Sequence, residues 1–422
     1  MPTATSTARS AAPASALSAP ALLATALLCI AAVRLVGTLP GAWSRNDFAH
    51  YYLSARVLLA GEDPYTASLE PFCERFGFEF DPRIVTGTNP PPLTLLLAGV
   101  AWLPPVPAYA VWALLQLTCL AGLLGALVRR AARGGFHAWR WVAIGLVLNS
   151  TAVWSNLHYS QVQLLVAMLI AAAYFDKRQG RPLQAVAAVA VAAGLKIYPA
   201  ALLPWFVLSG AGGGREVARR TLVAAAVGLS ILVVTGPGEW RSFATNGLAT
   251  VQNSVHGSTS NYSIQSAAMI VTGAVVGRPL PGAVMFEVAA LSRVAAAGTL
   301  ALAYLLVWRL RLPPRRAIGL LCVAMIAASP VCWSHYLTLL ILPVWLLWEE
   351  LGGRRWTAAS VAVAVLALAC LYSELDAPVP LGELGLARSL LHFYPLVVML
   401  TLAGLLALWR VPKPDAGDCS AV

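Results

Sequence analysis

Charge is scarce in this chain. Of its 422 residues 11% are Asp, Glu, Lys or Arg and 59% are hydrophobic, against about 25% charged and roughly 45–50% apolar residues in an ordinary soluble domain. That scarcity excludes a soluble enzyme. Metal-binding patterns are also lacking. The seven cysteines include no C-x-x-C pair, and Cys29, Cys119, Cys322 and Cys370 lie inside apolar runs. No Asp-rich cation site and no Gly-rich nucleotide loop occurs. Nor is there a basic stripe interleaved with aromatics, so the excess of 29 basic over 18 acidic residues does not point to nucleic acid. Finally, no small-x-small cleavage site closes the apolar run from Ala21. It reads as an uncleaved first span behind a disordered cytoplasmic N-terminus, 1–19.

What is present is a long series of apolar runs separated by short basic clusters. At about 20 residues per span, ten to thirteen spans use the whole length, which predicts an all-α, polytopic integral membrane protein with a single transmembrane domain over 20–409 and a cytoplasmic tail, 410–422. The clusters Arg129/Arg130/Arg133/Arg140, Lys177/Arg178/Arg181, Arg215/Arg219/Arg220, Arg309/Arg311/Arg315/Arg316, Arg354/Arg355 and Arg410/Lys413 mark the cytoplasmic side. Consecutive clusters must then be joined by an even number of crossings. Segments 141–175, 182–210 and 317–350 are each too long for one span, and each carries a polar break: Asn156–Gln161, Lys196–Pro199 and Ser329–His335. All three breaks therefore belong on the outer face.

About twelve spans follow, near 20–42, 107–128, 141–155, 159–175, 182–195, 198–210, 221–235, 284–308, 317–329, 336–348, 357–372 and 389–409. Two large outer loops, 43–106 and 236–282, remain. Within the first, Phe48–Leu59 and Pro92–Trp102 read as helices lying in the outer membrane interface. Phe48, Tyr52, Ala55, Leu58 and Leu59 mark the apolar face of the former, and Asp47 stands as its N-cap.

Chemistry can be sought only among the few polar residues at outer turns. Asp47 is a general-base candidate as well as a helix cap. His335, on an outer loop, is a second catalytic candidate or a local hydrogen-bonding residue. Lys196 is a cation at an outward turn, suited to stabilise developing negative charge, or else a snorkelling interface lysine. His158 and Gln161 either bind a polar ligand or simply make a polar turn. Arg56 stands nine residues beyond Asp47 on the same helix, where it would meet headgroups or loop carboxylates. Asp63 belongs to the Gly61–Tyr65 turn.

The order of these residues resembles a known family. Arg45-Asn46-Asp47-Phe48-Ala49-His50-Tyr51-Tyr52, Gly61-Glu62-Asp63-Pro64-Tyr65 and Asn89-Pro90-Pro91-Pro92-Leu93 are similar to the first outer loop of GT-C glycosyltransferases. They most resemble glycosyltransferase family 87, the polyprenyl-phosphate-mannose-dependent α-mannosyltransferases. His158-Tyr159-Ser160-Gln161-Val162-Gln163 resembles the family's G-Q-x-N turn, with Ser160 for Gly and Gln163 for Asn. Gly194-Leu195-Lys196-Ile197-Tyr198-Pro199 resembles its K-x-x-P step, and Asn261-Tyr262-Ser263-Ile264-Gln265-Ser266 its N-x-S segment. Ser329-Pro330-Val331-Cys332-Trp333-Ser334-His335-Tyr336 resembles its S-P-x-S-W-x-H-H step, with Tyr336 in place of the second His.

The resemblance spans about 40 to 348. It implies a GT-C fold and an inverting transfer of mannose from a polyprenyl-phosphate donor to a glycolipid or cell-wall glycan, on the outer face of the plasma membrane and without a metal or other cofactor. Asp47 and His335 would be catalytic. Lys196, His158, Gln161 and Tyr198 would hold donor phosphate or sugar, and Arg56, Tyr65, Asn261 and Gln265 would contact acceptor or loops. A related transferase of another sugar, such as arabinofuranose, fits the same pattern. A secondary transporter or lipid flippase also suits twelve spans, but no internal repeat relates the two halves.

Overall fold

The computed structural model describes residues 19–38, 43, 47–80, 86–131, 140–210, 212–249, 261–276, 282–352, 365, 368–369, 371–372 and 394–408. The expected N-terminal segment, the cytoplasmic tail and most of the predicted span 357–372 lie outside them. Among the described residues every regular element is helical. The chain runs through α1 (Ala19–Thr38), α2 (Asp47–Leu59), α3 (Glu70–Phe76), α4 (Pro91–Ala101), α5 (Pro105–Ala131), α6 (Arg140–Asn149), α7 (Thr151–His158), α8 (Gln163–Arg178) and α9 (Pro182–Leu195). It continues with α10 (Leu203–Leu208), α11 (Gly214–Thr235), α12 (Pro237–Ser242), α13 (Ile264–Val276), α14 (Gly282–Arg309), α15 (Pro314–Ala328), α16 (Ile341–Gly352) and α17 (Tyr394–Leu408).

Four stretches, Ala19–Gly37, Pro105–Arg129, Gly214–Thr235 and Glu287–Arg309, are long and apolar enough to cross a membrane. On α11, Leu222, Leu229, Val233 and Val234 are exposed, as lipid-facing side chains would be. The remaining apolar helices are short. The 14 residues of α9 reach roughly 21 Å at 1.5 Å per residue, less than a hydrocarbon core of about 30 Å. They pack instead as a bundle: α8 lies along α9, α9 along α11, α1 along α6, and α15 touches α14, α16 and α17. Its core is made of small and branched residues, among them Val166, Ile170 and Ala173 of α8 with Ala185, Val186 and Val189 of α9, all almost completely buried.

The three polar breaks are real interruptions of the backbone, each with a local cause. After α7, Ser160 takes a left-handed φ of 55°, a conformation that no helix continues through. After α9, Lys196 is extended at φ −144°, ψ 133°, and a 3-10 turn over Tyr198–Leu202 opens at Pro199. After α15, Ser329 is extended at φ −62°, ψ 139°, as the ring of Pro330 demands of the residue before it. A second 3-10 turn, Ser334–Leu340, then leads into α16.

Both helices of the first large loop form, but α2 is not one-sided as its apolar spacing suggests. Phe48, Ala49, Tyr51, Tyr52, Leu53, Ser54, Ala55 and Val57 are all buried, while Leu59, assigned to its apolar face, is half exposed. Its aromatic rings explain the enclosure. Phe48 meets Tyr109 of α5 edge-on with centroids 5.2 Å apart, Tyr51 meets Trp112 of α5 at 6.2 Å, and Tyr52 meets Phe76 of α3 at 5.6 Å. With α4 along its flank, α2 is a plug set into the protein.

Candidate active site

The site is built at the first turn of α2. Asp47 is the first helical residue, and its Oδ2 accepts a hydrogen bond from Nε2 of Gln161. One turn on, Tyr51 donates its hydroxyl to Oε1 of the same Gln161 at 2.6 Å, since residues i and i+4 share a helix face. The left-handed turn at Ser160 presents that amide. Gln161 thus joins α2 to the α7–α8 break. Trp112 of α5 secures the turn from below, donating to the Ser160 carbonyl at 2.8 Å.

Lys196 enters from the break after α9. Its Nζ donates to Oδ1 of Asn89 at 3.0 Å and stands 6.0 Å from the centre of the Tyr51 ring. It is close enough to act electrostatically on both Asp47 and His335. The third break contributes His335 and Tyr336. The Tyr336 ring lies 5.1 Å from those of His335 and Tyr198, and the His335 ring 6.3 Å from that of Tyr159. Ser334 is tied to α7 by a hydroxyl contact of 2.6 Å with Ser155. Five of the expected residues, Asp47, Gln161, Lys196, Tyr198 and His335, therefore gather in one place.

Burial sets the charge states there. It raises the Asp47 carboxyl above its ordinary value, an effect partly offset by His50, by the Gln161 hydrogen bond and by Lys196. Burial lowers Lys196 to about 8, against the opposing pull of Asp47. The same desolvation, joined by the nearby positive charge of Lys196, holds His335 well below its ordinary value. His335 is thus a neutral imidazole at pH 7, and its buried Nδ1 has no hydrogen-bond partner among the described residues. A carboxylate with raised proton affinity beside an ammonium can take a proton and hold a phosphate.

The other expected residues stand apart or do structural work. His158 is exposed at the end of α7, stacked edge-on against Tyr159 at 4.9 Å. Among the described residues Arg56 pairs with no carboxylate: it donates to the Tyr52 hydroxyl at 2.9 Å and the Leu103 carbonyl at 3.0 Å, with its guanidinium over the Phe76 ring. That locks α2 to the end of α4. Tyr65 is buried and donates to the Asn89 carbonyl at 2.8 Å. Asp63 caps its own turn, accepting from the Tyr65 amide at 2.8 Å. Asn261 is a staple for the third break, accepting from the Cys332 amide at 2.8 Å and donating to the Pro330 carbonyl at 3.0 Å. Gln265 is buried as the second residue of α13.

Asn89 and Tyr51 stand within the quoted motifs, where neither is given a role of its own, yet both make direct contacts at the site. Tyr51 is the i+4 neighbour of Asp47, and Asn89 is the amide that opens the step ending at Leu93.

Beside Lys196 an apolar groove of about 360 Å³ opens between α4, α9 and α11, lined by Pro92, Leu95, Leu96, Leu195, Ile231 and Val234. Gly194 is what lets α11 approach: a Cβ there would stand 2.7 Å from the Ile231 side chain. A buried carboxylate and a lysine beside an apolar groove, in a bundle that holds four membrane-length helices, have the parts needed by an enzyme acting on a lipid-linked substrate. The family model of glycosyltransferase family 87 matches residues 88–330, and the chain belongs to that family; it is a membrane glycosyltransferase. No curated protein matches it. The match takes in Asn89, Gln161, Lys196 and Asn261. It begins after Asp47 and ends before His335, so it is shorter at both ends than the resemblance read from the motifs.

Proposed function

We propose that the protein transfers mannose from polyprenyl-phosphate-mannose to a glycolipid or cell-wall glycan acceptor on the outer face of the plasma membrane. About twelve crossings would place the three polar breaks together on that face. The observation that carries the proposal is the convergence beside Tyr51 of Asp47, bonded by Gln161, and Lys196, bonded to Asn89, with an apolar groove opening next to Leu195. Asp47 is the general base. As the acceptor oxygen bonds to C1 of the sugar, the hydroxyl proton passes to the Asp47 carboxylate and the C1–O bond to phosphate breaks. The bonding pair leaves on the phosphate oxygen, where the Lys196 ammonium stabilises it.

The displacement is single and inverts the anomeric carbon, and it needs no metal. His335, being neutral, serves as a hydrogen-bonding group toward sugar or acceptor, and Tyr198 lines the donor side. The groove along Leu95, Leu96, Leu195 and Ile231 takes the first prenyl units, while the rest of the chain stays in the bilayer.

Purified protein given radiolabelled polyprenyl-phosphate-mannose and a panel of glycolipid acceptors should yield a labelled product. Label transferred only from polyprenyl-phosphate-arabinofuranose would change the sugar and leave the reaction class. No transfer from either donor, together with movement of labelled lipid across a reconstituted bilayer, would replace the enzyme with a flippase.

A further inference from the structure

The α8 helix has a second polar end. Its N-terminus, Gln163, lies by the site just described, and the C-terminus of this 16-residue helix carries Lys177 and Arg178, roughly 22 Å away at 1.5 Å per residue. There a cavity of about 350 Å³ opens between α8, α9, α10 and the start of α15. Among the described residues its lining includes three cations, Lys177, Arg178 and Arg220, with two aromatic rings, Tyr174 and Trp205, and no carboxylate.

Two of the cations are fixed in place. Lys177 Nζ donates to the Ser209 carbonyl at 2.5 Å and lies 5.2 Å from the centre of the Trp205 ring. Arg220 is buried and fans out to the carbonyls of Val207 at 3.2 Å and Ser209 at 3.0 Å, with Nε on Glu216 at 3.0 Å. The acids nearest the two fixed cations are engaged, Glu216 with Arg219 and Arg220 and Asp176 with Arg181, while Glu349 and Arg315 both act on the Tyr174 hydroxyl. Burial, and after it the adjacent Arg220 charge, lowers Lys177 to about 8. Arg178 is exposed at the mouth.

We propose that this cavity binds the phosphate group of an anionic membrane lipid, with Lys177 and Arg178 on the phosphate oxygens and Trp205 and Tyr174 against the glycerol and upper acyl region. Fixed donors and clustered cations suit a phosphate. A basic pocket between helices at a membrane edge, flanked by interfacial aromatics, suits a phosphate that comes on a lipid. A free phosphate ion shares the chemistry, and the two sources can be separated.

The full-length protein in neutral detergent is to be titrated with phosphatidylglycerol, with phosphatidylcholine and with inorganic phosphate, reading the thermal midpoint and the lipid retained in native mass spectrometry. Phosphatidylglycerol should raise the midpoint and be retained, phosphatidylcholine should do neither, and inorganic phosphate should compete only weakly. Arg178→Gln, at an exposed position, should keep the lipid-free midpoint and weaken retention of phosphatidylglycerol about fivefold; Arg178→Lys should retain most of it. Equal retention of the two lipids, undiminished retention by Arg178→Gln, or stabilisation by inorganic phosphate alone would each overturn the assignment.

Discussion

Lys196 offers a test in which activity and stability must move in opposite directions. With a value of about 8, Lys196 is charged about tenfold over neutral at pH 7, half charged at pH 8 and about tenfold the other way at pH 9. If the ammonium holds the leaving phosphate, kcat/KM for the donor falls above pH 8 by close to tenfold per unit. Unfolded lysine titrates near 10.5, so between about pH 8 and 10 the unfolded chain holds the proton that the folded protein has released. Stability then rises with pH through that window, and Lys177, also lowered to about 8, adds in the same sense.

Alkaline loss of activity would therefore coincide with a protein that melts higher, which unfolding cannot imitate. The assay is transfer of radiolabel from pH 6 to 9.5 beside thermal melts in the same detergent. Lys196→Arg keeps its charge throughout. It should transfer more slowly at pH 7 because the planar guanidinium fits a lysine's place poorly, yet show no decline to pH 9.5. A parent profile flat from 7.5 to 9.5, or a Lys196→Arg profile breaking at the same pH, would refute the role given to Lys196.

Asp47→Asn removes the base while leaving an oxygen to accept from Gln161. Transfer should drop by about 10² to 10⁴ with expression and melting little changed, and a rate within a few-fold of the parent would reduce Asp47 to a helix start. Because Asp47 helps keep Lys196 protonated, the same variant should also bind the donor less tightly at pH 8 than at pH 6.5. At the left-handed Ser160, Ser160→Gly should melt at or slightly above the parent, and Ser160→Val should lose about 1–2 kcal/mol, because a β-branched side chain is disfavoured there; equal melting of the two would remove the strain from the picture. For topology, Gly87 is a poor labelling position, since a Cβ would meet the Pro64 carbonyl at 2.8 Å. Cysteine introduced at the exposed Thr66 should react with an impermeant maleimide from outside the cell, and at the open Gly212 only after permeabilisation. The reverse pattern would invert the map.

The breaks were legible because their causes are local. A proline after Ser329 and a proline three residues after Lys196 each act on the backbone whatever surrounds them, and the polar run Asn156–Gln161 takes in the end of α7 at His158 and the left-handed Ser160. The Gly-to-Ser departure at Ser160 even marked the backbone's left-handed position, where the family's glycine carries no Cβ penalty. Enclosure was not legible. The spacing of Phe48, Tyr52 and Ala55 reports that one face of α2 is apolar and says nothing of what lies opposite. Tyr51 and Ser54, which look like a wet face, are buried against the site and the loop beside it. The same limit hid Asn89. It meets Lys196 across 107 residues of chain, and only the packing of α4 on α2 and α9 brings them together. Asn89 is buried, stands before Pro90 and has its carbonyl held by Tyr65, which restrains the backbone that carries its amide. A lysine merely snorkelling at an interface needs no such partner, and the fixed Asn89 amide is the feature that separates a positioned cation from a solvated one.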